Sequence, residues 1–91
     1  MPNFDPAAKA AECAAVADRA QTKVTAGYAT KNAGEIAVLD GEKAKGLAGD
    51  AGVCFAAAVA VEDNDPPVAA AASAAAERML AEAAVLAPVP V

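Results

Sequence analysis

Histidine and tryptophan are both missing from this chain, and the first absence excludes the most chemistry. Without imidazole there is no general base of the commonest kind, no usual partner for a catalytic serine or cysteine, and no ligand set for most zinc and haem sites. Cysteine is nearly absent too. Cys13 and Cys54 are the two present; they are not in a Cys-x-x-Cys arrangement and are too few to close a structural zinc site. Aromatic side chains number three, Phe4, Tyr28 and Phe55, and no basic run interleaves with them to make a stacking platform for single-stranded nucleic acid.

Positive charge is in the minority. Twelve acids against seven bases leave a formal net charge of −5, which repels phosphate backbones and the anionic face of a membrane. Long hydrophobic runs are lacking: the longest strongly apolar stretch, Val53 to Val61, is far below the length of about 20 residues that crosses a bilayer. Met1 to Ala10 has no basic cluster followed by an apolar core and does not read as a secretory signal. The expectation is a chain with no nucleic-acid partner and no membrane span, cytoplasmic or within a soluble assembly.

What is abundant is alanine, about a third of the 91 residues and far above ordinary usage. Each alanine buries little area, so the core is expected to be thin despite a hydrophobic content of 57%. Ninety-one residues suffice for a single domain. Asp5-Pro6 is a helix start, an N-cap acceptor followed by proline where its missing N–H does no harm. Cys13, Ala17, Ala20, Val24 and Tyr28 then share one face, and Gly27 offers a stop. Asn32 with Glu35 three positions on has the spacing of a capping box.

The middle of the chain reads two ways. Ile36, Leu39 and Leu47 give a weak helical pattern interrupted by glycines at 41, 46 and 49, each worth about 1 kcal/mol against a helix interior. Glu35 to Leu39 also reads as a short strand ending in an Asp40-Gly41 hairpin turn. Val53, Phe55, Ala57, Val59 and Val61 alternate as a strand would, while the intervening alanines and Asp50 as N-cap favour a helix. Asp65-Pro66 repeats the start signal. Beyond it Val68, Ala72, Ala75, Met79, Ala83 and Leu86 form a narrow small-residue stripe that Pro88 and Pro90 terminate.

Candidate chemistry is sparse. Glu62-Asp63-Asn64-Asp65 lacks the alternating ligands, central glycine and distal Glu of a calcium loop, so it reads as a solvated turn and cap. The glycine-rich segment from Gly46 to Gly52 has no following Lys-Ser or Lys-Thr pair, and Asp50 stands where a phosphate would sit. Cys13 and Cys54 are read as two buried thiols, with a disulfide between them as the alternative. No cofactor or metal is expected.

These features predict an all-α single domain, a small bundle of three or four short alanine-rich helices near 6–26, 33–47, 51–62 and 66–87, with an extended tail over 87–91. The alternative is α+β, with the outer helices on a small central hairpin. The expected function is non-catalytic: a structural or assembly-interaction protein packing through small-residue helical faces against itself or a larger complex, with Val68, Ala72, Ala75, Met79, Ala83 and Leu86 as the interaction face. The competing class is a carrier of a small apolar ligand between its helices.

Overall fold

The computed structural model describes residues 2–30 and 34–90, which form three helices in up-down-up order: α1 (Pro6–Ala29), α2 (Glu35–Val61) and α3 (Pro66–Leu86). No strand occurs among the described residues, so the all-α bundle holds and the central hairpin does not. The helices pack side by side into a rod 51 × 18 × 17 Å. Both Asp-Pro starts act as the sequence implies. Asp5 accepts from the backbone N–H groups of Ala7 and Ala8, and Asp65 accepts from that of Val68, each satisfying donors that the first turn leaves unpaired.

The separate helices expected at 33–47 and 51–62 are a single helix of 27 residues, α2. The reason lies in its inner seam. Gly41, Ala44, Ala48, Ala51, Phe55 and Ala58 are buried, at alternating spacings of three and four that run straight through the glycines. Scoring large side chains alone conceals that register. Tertiary packing along this seam outweighs the propensity penalty of Gly46, Gly49 and Gly52. Those three glycines point where an added Cβ would meet nothing within 4 Å. The proposed Asn32 cap and the start at 33 lie outside the described residues; the described helix begins at Glu35, with Gly34 as N-cap.

Gly27 does not stop α1, which continues to Ala29. It is buried at a crossing instead, where a Cβ would lie 2.7 Å from Val38 Cγ2 and 2.8 Å from the Gly34 carbonyl oxygen. Gly41 is the second such point: its Cβ would lie 2.9 Å from the Ala20 carbonyl oxygen. Glycine at both positions lets the two backbones approach closer than any side chain would permit.

The stripe drawn on α3 is rotated by about one residue from the buried one. Ala69, Ala76, Leu80 and Ala83 face inward, and Ala87 is buried just beyond the helix. Of the predicted set, Ala83 is fully buried, Ala72, Ala75, Met79 and Leu86 are half-buried, and Val68 is 52% exposed. In a segment so rich in alanine several stripes fit equally well, and the buried leucine at 80 settles the register.

α2 is the middle element, with its backbone close to both neighbours. α1 and α3 run parallel and meet chiefly through side chains. Phe55 is the largest inward residue of α2, 4% exposed, and its ring lies 5.1 Å from that of Phe4 at 60°, a tilted geometry that aromatic quadrupoles favour. At the other end of α3, Arg19 Nε donates to the Ala87 carbonyl (3.0 Å) and Lys23 Nζ to the Leu86 carbonyl (2.7 Å). α1 thus supplies cations to the negative end of α3, satisfying carbonyls that a helix terminus leaves open.

Candidate functional site

The surface offers ionisable clusters, grooves and exposed apolar faces. The densest ionisable cluster centres on Lys9. Its Nζ lies 2.8 Å from Glu77 Oε1 and 3.3 Å from Glu12 Oε2, and 5.6 Å above the Phe55 ring. The hydrogen bond to Glu77 raises the Lys9 pKa, burial opposes it, and Glu12 adds a smaller rise. A cation gripped in this way clips α1 to α3 and is poorly suited to lose a proton. Lys43 to Glu82 (3.2 Å) and Lys23 to Asp40 (4.0 Å) link the remaining helix pairs.

Cys13 and Cys54 are both free thiols, the first buried and the second half-buried, so the disulfide alternative is not what the structure contains. Burial raises the Cys13 pKa, with the Glu12 charge acting in the same direction. Its thiol therefore behaves as a small apolar group and a weak nucleophile. Among the described residues, no three Cys, Asp or Glu side chains come together as a metal would need, and no buried side-chain nitrogen or oxygen lacks a partner.

The grooves are open rather than enclosed. One, about 400 Å³, runs between the start of α1 and the second half of α2, walled by Phe4, Ala10, Cys13, Gly52, Phe55 and Val59. A second, about 370 Å³, lies where Pro88 and Pro90 of the tail pass Arg19, Lys23 and Ala26.

The exposed apolar residues are unevenly distributed. α3 ends level with Arg19 and Lys23, so the last turns of α1 and the first turns of α2 project beyond it as a two-helix tip. Tyr28 (73% exposed), Ile36 (72%) and Leu39 (62%) stand on that tip. Tyr28 and Leu39 border one shallow hollow of about 240 Å³ whose lining includes Gly27, Gly34 and Val38. By spacing alone Tyr28 belongs to the core face of its helix, and Ile36 and Leu39 to a weak helical pattern. The missing signal was relative helix length, which decides where the third helix stops. On the outer side of α2, Gly46, Gly49, Val53, Ala56 and Ala60 are exposed and form a smooth small-residue face.

α2 is also long and apolar enough to cross a membrane by length and composition: an 18-residue window has mean hydropathy 1.4, with 28% of it buried in the bundle. The apolar run counted from Val53 to Val61 understated this, because alanines and glycines on the N-terminal side extend the window.

Comparison with known proteins finds no matching family model, no matching curated protein and no matching solved structure.

Proposed function

We propose that this chain is a non-catalytic structural or assembly-interaction protein that packs against copies of itself or a larger complex. The observation that carries the reading is the pairing of open, uncovered apolar surface with a core already spent on three helices. Tyr28, Ile36, Leu39, Val53 and Val85 are all more than half exposed, and three of them are gathered at one end. Isolated apolar residues on a surface are ordinary, but a clustered set is the usual mark of a contact made with another molecule.

The α3 stripe of Val68, Ala72, Ala75, Met79, Ala83 and Leu86 supports this role less than the tip does. Met79 and Leu86 pack against the bundle's own core, leaving Val68 as its exposed member. The surfaces left for a partner are the tip and the outer face of α2.

Protein, rather than nucleic acid or lipid, is the proposed partner. The net charge of −5 opposes phosphate. A spanning α2 would have to leave its seam or carry with it α1 and α3, with the surface ion pairs between the helices, Lys9 with Glu77 and Lys43 with Glu82; charged groups are expensive at that depth. An aqueous compartment fits these surfaces better.

The runner-up is the carrier of a small apolar ligand. The groove walled by Phe4, Cys13, Gly52, Phe55 and Val59 favours it, because its volume of about 400 Å³ falls in the range of ligand pockets. Its open mouth favours assembly, since pockets for drug-sized ligands bury most of the ligand's surface. Native mass spectrometry of the chain purified from its host separates the two readings. Assembly predicts complexes of two or more chains without a small adduct; single chains carrying a stoichiometric apolar ligand would replace it with the carrier.

A further inference from the structure

We infer that the groove between the start of α1 and the second half of α2 docks a basic amphipathic helix of another protein. The partner's apolar face lies in the groove, and its Lys and Arg side chains lie toward the acidic half of the rod. The inference rests on the assembly reading and names the chemistry of the partner.

The groove itself selects a helix. Ala10, Cys13, Gly52, Phe55, Ala56 and Val59 wall it, side chains that offer apolar contact and almost no hydrogen bonding. The backbones on both sides belong to α1 and α2, whose peptide groups pair within their own helices. An extended segment laid there would leave its N–H and C=O groups without partners, whereas a helix satisfies its own and presents side chains alone. From Gly52 to Val59 the wall rises about 10 Å, close to two turns. Over that span a helix sets apolar side chains at i, i+3, i+4 and i+7 along one face. Ala10, Gly52 and Ala56 keep the wall low, which lets an incoming axis come close, and through Ala56 the groove continues onto the exposed outer face of α2.

Charge selects the sign of the partner. In residues 2–17 and 48–79, the half of the rod that contains the groove, seven acids at 5, 12, 50, 62, 63, 65 and 77 stand against Lys9 and Arg78. That half carries −5, equal to the net charge of the whole chain, so the remainder is neutral. Lys9 is already gripped by Glu77 and Glu12. Asp5 directly precedes Pro6 of the groove lining, and Asp63 stands four residues after Val59, which puts carboxylates at the lower end of the groove. Such a field draws in a basic helix and steers its approach, while it repels phosphate and anionic lipid. A second copy of this chain does not match it, because that copy offers either its neutral half or another half of −5.

Fluorescence titration of the full chain with synthetic peptides tests this. The probe is a labelled amphipathic peptide of about 15 residues, long enough to hold a helix once docked, with leucine along one face and lysine elsewhere. One companion carries glutamate for lysine; another keeps the composition but scrambles it so that no face is apolar. The lysine-faced peptide alone should bind, and more weakly in about 1 M salt than at physiological strength, because the screening length falls from about 8 Å to about 3 Å. Gly52→Leu should weaken binding about tenfold by taking the place of one buried anchor. A Cβ at 52 meets nothing within 4 Å, so the fold accepts it. Gly46→Leu, equally open and outside the groove lining, should bind as the parent does. On the parent chain, bound peptide should slow thiol labelling of Cys13, which lines the groove, and leave Cys54 unchanged; that measurement decides should Gly52→Leu fail to fold. Equal binding of the scrambled peptide would reduce the effect to cations collecting on an acidic surface and overturn the inference. So would binding indifferent to salt or to the glutamate exchange, or binding that Gly52→Leu leaves intact with Cys13 unprotected. No binding by any peptide overturns the docking helix while assembly stays to be judged by the native mass of the chain from its host.

Discussion

The three-helix body and the two-helix tip are made from the same two helices, α1 and α2, yet different rules hold them together. In the body the seam is alanine with a few large residues, and a third helix covers it. In the tip the seam is glycine against valine, with no third helix, and the large side chains lie outside. Bulky residues carry the packing where three helices meet, and their absence carries it where two do. The same glycine substitution should therefore act in opposite directions along one helix.

The sharpest break in that contrast comes from the body's aromatic anchor. Phe55→Ala removes the largest inward side chain of α2 and the partner of the Phe4 ring, with an expected loss of about 3–5 kcal/mol in urea denaturation. In so thin a core that approaches the whole stability of a small domain. Retention of a cooperative transition near the parent midpoint would mean that the alanine seams alone suffice.

Gly41→Ala tests the crossing that leads into the tip. The new Cβ meets the Ala20 carbonyl oxygen at 2.9 Å, and backbone cannot turn aside as a side chain can. The helices must separate, for an expected loss of about 1–3 kcal/mol by overpacking. Gly49→Ala, two turns further along α2, meets nothing and should gain about 1 kcal/mol from propensity. Equal signs for the two variants would show that the close approach does not determine the glycine pattern.

A smaller effect separates the regions by pH, because Lys9 and Cys13 both sit in the body. The Lys9 pKa is held above its ordinary 10.5, so its pairing contributes fully below that value and is lost as pH rises through the folded value. The Cys13 thiol ordinarily ionises at 9.0 and is raised by burial, so above pH 9.0 ionisation favours the unfolded chain. Both act in one direction, and stability should decline from about pH 9 upward. Cys13→Ala should shallow the early part of that decline in thermal melts. The smallest expected difference is in labelling: a thiol reagent should modify half-buried Cys54 well before buried Cys13.

The starts of the outer helices were legible in the sequence because a cap is a local device. Asp5-Pro6 and Asp65-Pro66 carry their whole mechanism within four residues, and both helices begin where those pairs stand. The unity of α2 was not legible, since glycines at 41, 46, 49 and 52 lower helix propensity and the compensation comes from two other helices. The register of α3 failed for a related reason: alanine at ten of its 21 positions makes every face look inward, and Leu80 decides only once α2 is in place. The tip was invisible because it depends on comparing where α1 and α3 end in space. The role proposed for it therefore comes from geometry, which a periodicity count does not report.

The up-down-up path also has a mechanical consequence. The chain enters α1 beside Phe55 and leaves α3 beside Arg19 and Lys23, so its two ends exit some way apart along the rod, separated by about 25 Å of helix rise. A force applied between the ends runs along the long axis and loads both seams in shear, sliding α2 against its neighbours. Peeling would need the two ends of a seam to leave from the same side, which this path prevents. A bundle with little bulk in its core is thus arranged to resist tension better than its thermal stability alone would suggest.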